Sequence, residues 1–326
     1  MKLVSVVLAT YRPNIKFLQL QLKSIFKQDY PNIELIVCDD SCDDVVFEEV
    51  RQLVESLSEE YKIKTTIVKN EKNKGSNKTF ERLTTLATGE YIAYCDQDDM
   101  WEHDKITTLV NKIEAEKAVV AYSDLAIIDE DNQVTSKSFK DVSKRLNHIQ
   151  GDKAYDYFIR RNSITGCTML IKTEIAKESL PFPDFNIYVH DHWLALYASC
   201  RGKVAYVERP LVKYRIHSNN QIGAKVLSGI SDKETYISNK LEVEKQKVQF
   251  VSNRNLHHVN KDFAQSLKTF ENFVQSRVQF FENKSLSNSL RFLSQAAKDP
   301  VLITFELLIN ILPSGFSKNL IQKAKG

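Results

Sequence analysis

The sequence predicts an α/β protein with a mainly parallel, doubly wound sheet, followed by a helical C-terminal extension. Three observations support this prediction. Strand and helix patterns alternate with short connections in the first part of the chain, as in successive βαβ units. The first strands are nearly continuous apolar runs, which is typical of a sheet covered on both faces. Beyond Asp232 the apolar residues recur at helical spacing throughout.

Strand and helix patterns follow one another four times before residue 118. The predicted strands are Leu3–Ala9, Ile33–Val37, Ile63–Val68 and Tyr91–Tyr94. Helices are predicted after the first three strands from apolar residues at helical spacing: Leu18, Leu22, Ile25 and Phe26; then Val46, Val50, Leu53, Val54 and Leu57; then Phe80, Leu83 and Leu86.

From residue 118 the alternation is looser. Ile127–Val134 has the pattern of a hairpin with Asp and Asn at its tip. A helix begins at His190, and Asp191 is placed to cap its first turn. We divide the chain into an α/β domain, residues 1–223, and a helical region, residues 224–326. The remaining strands are predicted at Ala118–Tyr122, Thr165–Ile171, Lys203–Val207 and Leu211–Arg215.

The composition is that of an ordinary globular protein. The chain has 326 residues, of which 42% are hydrophobic and 27% charged. Its five cysteines are scattered and include no Cys-x-x-Cys pair, which favours a reducing compartment over a disulfide scaffold. The N-terminal residues lack a signal-peptide pattern, and the longest apolar run, Val301–Leu312, is too short to span a bilayer. We therefore expect a cytoplasmic protein without a membrane span.

Positive charge is concentrated in the helical region. From Asp232 onward there are 14 Lys and Arg against 9 Asp and Glu, whereas residues 1–231 carry 31 against 33. Such a tail suits an anionic surface, but it lacks the dense basic clusters with interleaved aromatics of nucleic-acid-binding proteins. We expect no nucleic-acid partner. The run Val301–Leu312 with Lys318, Lys323 and Lys325 fits a peripheral membrane contact, and it fits equally a helix that packs on the α/β domain or in a homodimer.

Three carboxylates follow the fourth predicted strand directly, in the segment Asp96-Gln97-Asp98-Asp99. Like charges this close repel one another unless a cation or a solvated turn relieves them. Mg²⁺ and Mn²⁺ prefer oxygen ligands and keep positions open for phosphates. A surface turn rich in Asp is the alternative interpretation.

Polar residues also follow the other three early strands, and carboxyl ends of parallel strands meet at one edge of a sheet. Taken singly, Thr10 and Asp39 are also consistent with helix caps, and Lys74-Gly75 with an ordinary turn. Taken together, they predict a ligand site at that edge. The four segments are Thr10-Tyr11-Arg12, Asp39-Asp40, Asn73-Lys74-Gly75 and Asp96-Gln97-Asp98-Asp99.

This ordered set resembles the family-2 inverting glycosyltransferases, which have the GT-A nucleotide-sugar-binding fold, a Rossmann-like α/β fold. The resemblance covers about residues 1–223. It implies a nucleotide-sugar donor, a divalent Mg²⁺ or Mn²⁺ ion, and a glycan or lipid-linked acceptor. The matching segments are Val6–Arg12, Ile36–Ser41, Asn73–Gly75, Gly89–Ile92 and Asp96–Trp101.

The resemblance also implies roles for individual residues. Asp98 would bind the metal directly, helped by His217, although a single histidine is more often structural. Asp191 would be the general base that deprotonates the acceptor hydroxyl, a role compatible with helix capping. Thr10, Tyr11, Asp39 and Lys74 would surround the base and ribose, with Asp96 near the ribose and the metal. The full set of implied donor-binding residues is Thr10, Tyr11, Arg12, Asp39, Asp40, Lys74, Gly75, Asp96, Gln97 and Arg215.

Tyr214–Gly223 resembles a Tyr-Arg-x-His-x-x-Asn segment of members that transfer rhamnose or other deoxysugars. The resemblance therefore implies dTDP-rhamnose as the first expectation for the donor, with a UDP-hexose or UDP-N-acetylhexosamine second, in surface polysaccharide synthesis. The Gln-x-x-Arg-Trp signature of processive synthases is absent, which favours single additions. A non-catalytic nucleotide-sugar-binding scaffold is the alternative from another class, and the presence of Asp191 counts against it.

Overall fold

The computed structural model describes residues 1–143, 146–217, 229–256 and 260–324. The chain forms two compact units, Met1–Asn219 and Asn220–Gly326. The domain boundary predicted between residues 223 and 224 lies outside the described residues, as do Lys325 and most of Tyr214–Gly223.

The first unit is built on one nine-stranded sheet in the order β3-β2-β1-β4-β8-β6-β9-β5, with β7 paired to β6. Strands β1 to β4 are parallel, and β8 runs antiparallel between β4 and β6. The predicted α/β class with a mainly parallel sheet is confirmed. The strands are β1 Val4–Thr10, β2 Ile33–Asp39, β3 Lys64–Lys69, β4 Tyr91–Cys95, β5 Met100–Trp101, β6 Val120–Ile128, β7 Val134–Ser136, β8 Met169–Lys172 and β9 Val204–Arg215.

Eight helices accompany the sheet in the described part of the first unit. Each long helix covers apolar strands that are buried along most of their length, which is why β1, β2 and β4 are so uniformly apolar. The helices are α1 Ile15–Phe26, α2 Asp44–Tyr61, α3 Gly75–Leu86, α4 Lys105–Glu116, α5 Phe139–Val142, α6 Tyr155–Phe158, α7 Thr173–Glu178 and α8 His190–Arg201.

The sheet register brings the strand ends together. Thr10 is aligned with Asp39, and Leu8 is aligned with Cys95, so the segments after β1, β2 and β4 leave the sheet at one edge. Asn14 caps α1 and Asp43 caps α2. Thr10 and Asp39 are therefore not helix caps, and their side chains are available to the edge of the sheet.

The observed elements differ from the predicted ones in two places. Lys203–Val207 and Leu211–Arg215 are a single strand, β9, because the chain continues through Pro210 with a register shift against β6. Thr165–Ile171 is not a continuous strand, since Gly166–Thr168 forms a 3₁₀ turn and β8 begins only at Met169. The predicted hairpin is present between β6 and β7.

The second unit is helical. Its helices are α9 Lys233–Tyr236, α10 Glu242–Asn253, α11 Phe263–Glu282, α12 Leu286–Leu293, α13 Pro300–Ile311 and α14 Ser314–Lys323, with a π turn at Ile237–Leu241 and a 3₁₀ turn at Ser294–Ala297. Aromatic and aliphatic side chains from all but α10 form its core. Arg277 is fully buried there and donates to Glu306 and Glu244. Among the described residues, no helix is long and apolar enough to cross a membrane.

Candidate functional site

Thr10 and Asp39 meet at the ends of β1 and β2. The Thr10 hydroxyl donates to Asp39 Oδ1 at 2.8 Å, and Ser41 donates to the same carboxylate through its hydroxyl and its backbone N–H. Asp39 is buried and carries three hydrogen bonds, so its position is fixed before any ligand arrives.

Asp40 lies beside Asp39 but faces the loop before α3. Its carboxylate accepts hydrogen bonds from the backbone N–H of Lys74 at 2.9 Å and of Gly75 at 2.8 Å, and from Asn70. Gly75 has a φ of 74°, a conformation that favours glycine, which lets this loop turn tightly around the carboxylate. The Lys74 side chain is exposed at the turn. Asp40 and Gly75 therefore shape the loop that presents Lys74.

Tyr11 is held by its backbone and leaves its ring exposed. Gln97 accepts from the Tyr11 N–H at 2.8 Å and donates back to the Tyr11 carbonyl at 3.3 Å. The ring is 42% exposed, which suits stacking against a planar ligand. Arg12 is exposed next to it, and the Arg12 N–H donates to the Ser41 hydroxyl at 2.7 Å.

The acidic segment after β4 places its three carboxylates in different surroundings. Asp98 Oδ2 lies 2.7 Å from His217 Nε2 and accepts a hydrogen bond when that nitrogen carries the proton, while Asp99 is completely buried and accepts from the Arg215 N–H. Burial, together with the charges of Asp98 and Asp191, raises the pKa of Asp96 to about 7. Burial, and then the neighbouring acids, raises the pKa of Asp99 well above its ordinary value. The surrounding residues therefore do not fully neutralise the negative charges of Asp96, Asp98 and Asp99.

Arg215 and His217 bring the end of β9 against this segment. The Arg215 side chain is buried, donates to the Asp98 carbonyl at 2.8 Å and lies over the Phe17 ring at 4.2 Å. In this arrangement Arg215 positions the acidic segment, whereas His217 reaches the Asp98 carboxylate itself.

A buried lysine lies behind the acids. Lys105 is fully buried, its ammonium nitrogen is 3.2 Å from the centre of the Trp101 ring, and it has no hydrogen-bond partner among the described residues. Burial lowers its pKa to about 7 despite the raising effects of Cys95, Cys167 and Asp99. Its charge therefore offsets only part of the repulsion between the acids. The sequence analysis did not single out Lys105, because its surroundings include Cys167, which is distant in sequence.

Asp191 lies in the first turn of α8, and Val189 is the residue that precedes the helix. Its carboxylate accepts from Asn162 Nδ2 at 3.1 Å, from the Gly166 N–H at 3.2 Å and from the His192 N–H. Burial raises the pKa of Asp191 to about 6, and these hydrogen bonds oppose the rise. A carboxylate with such a pKa is ionised at neutral pH and is basic enough to accept a proton.

The turn Gly166–Thr168 lies between Asp191 and the acidic segment. Gly166 bonds to Asp191, and the Cys167 sulfur lies within 4.8 Å of the ligand oxygens of Asp96 and Asp99. The charge of Asp191 also contributes to the raised pKa of Asp96. The structure therefore brings the candidate base and the strand-end acids into one site.

Close packing fixes the start of α8. His190 is stacked on Phe80 at 4.2 Å, and a Cβ at Gly166 would lie 2.8 Å from His190 Nε2, so only glycine fits there. Asn77 accepts from the His190 N–H and donates to the Tyr188 carbonyl at 2.7 Å. Asn77, Asn162 and Gly166 hold the start of α8 and Asp191 in place, and the sequence analysis did not identify them. Their partners are distant in sequence, and no local pattern marks them.

The donor atoms at this edge suit a hard divalent cation. Asp96, Asp99 and Cys167 are the most compact group of ligand atoms among the described residues. However, burial raises the pKa of the Cys167 thiol well above its ordinary value, and a protonated thiol is a poor ligand. Asp96 and Asp98 are half-buried carboxylates whose negative charges repel each other. Mg²⁺ and Mn²⁺ prefer carboxylate oxygens as ligands. A cation bound between them would relieve the repulsion.

Comparison with known proteins identifies the family of this chain. The family described as Glycosyl transferase family 2 matches residues 5–179. The dTDP-rhamnosyl transferase RfbG of Shigella flexneri is 29% identical over 241 residues, covering 67% of this chain and 74% of that protein. The UDP-Glc:alpha-D-GlcNAc-diphosphoundecaprenol beta-1,3-glucosyltransferase WfaP of Escherichia coli is 33% identical over 128 residues, covering 39% of this chain and 47% of that protein.

Among solved structures, the crystal structure of S. aureus TarS 1-349 in complex with UDP-GlcNAc has a TM-score of 0.61. The two chains are 18% identical, and the match covers 99% of this chain and 91% of that chain. At this identity the likeness shows a common fold, which is the GT-A fold expected from the sequence motifs.

Proposed function

The chain belongs to glycosyl transferase family 2 and is a glycosyltransferase, and we propose that it transfers a sugar, with inversion, from a nucleoside-diphosphate donor to an acceptor hydroxyl. The observation that carries this proposal is the placement of Asp191. It is a half-buried carboxylate with a pKa raised to about 6, held by three hydrogen bonds and close to the strand-end acids.

Inversion requires a base on the side of the sugar opposite the leaving group. In the proposed reaction, Asp191 takes the proton of the acceptor hydroxyl while that oxygen forms a bond to the anomeric carbon. The bond from the anomeric carbon to the diphosphate oxygen breaks, and the diphosphate leaves. Asn162 and the Gly166 N–H keep the Asp191 carboxylate oriented during this step.

The nucleotide is assigned to the other side of the site. We place the base and ribose between the exposed Tyr11 ring and the fixed carboxylate of Asp39, with Thr10, Arg12 and Lys74 around them. Asp40, Gly75 and Gln97 support this pocket through the backbone of Lys74 and Tyr11. Arg215 belongs to the site as a positioning residue of the acidic segment.

Asp96 and Asp98 would hold a divalent Mg²⁺ or Mn²⁺ ion, with His217 released from Asp98 or added as a further ligand. When bound, such an ion neutralises the charge that develops on the diphosphate leaving group. The raised pKa values of Asp96 and Asp99 support a requirement for added positive charge at this point.

We propose dTDP-rhamnose as the donor and a lipid-linked glycan of a surface polysaccharide as the acceptor. The similarity to a dTDP-rhamnosyl transferase over 67% of this chain supports the donor. The similarity to a UDP-Glc transferase whose name includes a diphosphoundecaprenol acceptor supports UDP-glucose as the second candidate and a lipid-linked acceptor for either.

A screen of nucleotide sugars tests the proposal. The purified protein is heated with dTDP-rhamnose, UDP-glucose or UDP-N-acetylglucosamine, with and without Mn²⁺, and slow hydrolysis of each donor is followed in parallel. We expect the donor to raise the melting temperature and to be hydrolysed only with metal. If no nucleotide sugar protects the protein in the presence of metal, the donor-site assignment is wrong.

A further inference from the structure

Helices α12, α13 and α14 expose an unusual number of large apolar side chains. The structure describes 16 exposed large apolar residues, and eight of them lie between Leu286 and Phe316. Helix α13 packs against α14, and a 3₁₀ turn connects α12 to α13. We call the outward side of these three helices the apolar-basic surface. Its apolar members are Leu286, Leu290, Leu293, Val301, Leu308, Ile311, Leu312 and Phe316.

Helix α12 exposes its leucine face, whereas a surface helix normally buries its apolar face. Leu286, Leu290 and Leu293 are spaced by four and three residues, so they share one face, and all three are exposed. Leu286 is 77% exposed. The other side of the helix buries Phe292 and keeps Asn288 half-buried. Among the residues that the structure describes, no side chain covers this leucine face.

Helix α13 is apolar on all sides. Ile303 and Ile309 point into the core, and Glu306 is buried with Arg277. The outward side carries Val301 and Ile311, the latter 62% exposed. A helix that is apolar around its whole circumference is normally buried or lies against lipid.

The exposed charges of this stretch are of one sign. In the described stretch 283–324, both acidic residues, Asp299 and Glu306, are buried. The basic residues of the stretch are exposed, so every exposed charge that the stretch itself carries is positive; from outside it, the half-buried Asp232 lies near Lys318. The exposed basic residues are Lys284, Arg291, Lys298, Lys318 and Lys323.

We propose that the apolar-basic surface binds the face of an anionic lipid bilayer. Apolar side chains flanked by Lys and Arg insert at the boundary between headgroups and acyl chains, and the basic groups bind the anionic headgroups. A second copy of the chain fits less well, because a two-fold contact would bring the same positive surface against itself. The inference deepens the proposed function, since a lipid-linked acceptor lies at such a surface, but it concerns a different part of the chain.

Point substitutions test the surface better than truncation. Removing residues from about 300 onward would delete Ile303, Ile309 and Glu306 from the core of the helical unit. The first variant combines Leu290→Asn, Ile311→Asn and Phe316→Asn, and the second combines Arg291→Gln, Lys318→Gln and Lys323→Gln. All six side chains are exposed, so the fold should persist, and thermal melting checks it.

The full-length protein is sedimented with vesicles of phosphatidylcholine alone or mixed with phosphatidylglycerol, at low and high salt. We expect binding to the mixed vesicles at low salt and its weakening at high salt. Each basic group removed should weaken binding about fivefold, or about a hundredfold for three. The apolar variant should lose binding to a similar degree. As a matched control, Val45→Asn, Val134→Asn and Val142→Asn remove exposed apolar residues of the first unit and should leave binding unchanged.

Three results would overturn the proposal. The intact protein fails to sediment with anionic vesicles at low salt, or the apolar variant sediments as well as the intact protein. In the third, light scattering shows that the unmodified protein is a dimer and the apolar variant a monomer, and neither protein binds vesicles. Melting with a nucleotide sugar and metal is measured on the same samples. If the donor raises the melting temperature but the protein does not bind vesicles, only the membrane surface is rejected. If the protein binds vesicles but no donor raises the melting temperature, only the donor site is rejected.

Discussion

The two units both bury carboxylates, but they differ in what neutralises them. In the helical unit, Arg277 donates to Glu306 at 2.6 Å and also to Glu244. Burial alone would raise the pKa of Glu244, yet the charge of Arg277 lowers it to about 2. At the sheet edge, Asp96 and Asp99 have raised pKa values, and the buried Lys105 behind them has a lowered one.

The difference separates a structural ion pair from a binding site. A buried acid that has its own arginine contributes to a defined fold and is costly to disrupt. Acids held close together without enough positive charge weaken the fold locally, and they persist where a ligand supplies the missing charge. On this comparison, changes at the sheet edge should harm activity and spare stability, while changes at Arg277 should do the reverse.

The largest expected effect is on turnover, from Asp98→Asn. Loss of one charge weakens both metal binding and the stabilisation of the leaving group, so the rate should fall about 10³-fold or more. The melting temperature without ligand should stay the same or rise, because repulsion with Asp96 is relieved. Steady-state rates at saturating metal and a melting curve check both parts. Near-normal turnover would remove Asp98 from the metal site.

Asp191→Asn should lower the rate about 10²–10⁴-fold, the usual contribution of a general base. Donor and metal affinity should be nearly unchanged, because the carboxylate is assigned to the acceptor side. Calorimetric titration of the donor provides the comparison with kinetics. A collapse of donor affinity would place Asp191 in the donor pocket instead.

Arg277→Met should destabilise the helical unit by about 3–5 kcal/mol, because it removes the only ion-pair partner that the described residues give the buried Glu306, which keeps just the Tyr236 hydroxyl. Urea unfolding measures the change. Donor and metal should still raise the melting temperature of the sheet unit, because Asp96, Asp98 and Asp99 do not contact this arginine. As a control, the double change Arg277→Met and Glu306→Gln should recover part of the loss.

The pH dependence of kcat/KM at saturating metal should show the ionisation of Asp191. Its pKa is raised from 3.8 to about 6, so the base is free above pH 6 and protonated below it. We expect a plateau above pH 6 and a tenfold fall for each unit below. The residual activity of Asp191→Asn should not fall in this way below pH 6. If kcat/KM of that variant still falls tenfold per pH unit, another group causes the pH dependence.

The smallest effect is expected from Asp99→Asn, measured as stability against pH. The folded state raises the pKa of Asp99 well above 3.8, so at pH 7 folding must neutralise a group that is ionised in the unfolded chain. Asparagine removes that cost. The variant should therefore be slightly more stable than the parent at pH 7, and the gain should vanish as the pH falls towards 4. A loss of stability at pH 7 would mean that Asp99 is ionised in the fold.

Sequence alone predicted the parts of the fold that depend on local patterns. Strands β1, β2 and β4 are buried on both faces, and their apolar runs are correspondingly continuous. β9 was predicted as two strands because Glu208-Arg209-Pro210 interrupts the apolar pattern, and only the register shift against β6 lets one strand continue through them. Gly166–Thr168 was predicted as strand because the turn has no residue signal besides one glycine.

The candidate site was predictable where strand ends carry it, and less so where contacts are distant in sequence. Asp96, Asp98 and Asp191 were identified from their positions after a strand and at a helix start, and their proposed roles still require the experiments above. The binding of Asp40 to the Lys74 N–H joins residues 34 positions apart, and no local pattern reveals it. The same holds for Lys105, whose environment is defined by three separate segments.

The Arg277 ion pairs also set an order of events during synthesis. Arg277 lies on α11, whereas Glu306, its buried partner, lies on α13 and is made 29 residues later. The described strands of the sheet unit are complete by Arg215, before either residue is translated. A nascent chain can therefore assemble the sheet first, while α11 must wait for Glu306 before its arginine can be buried.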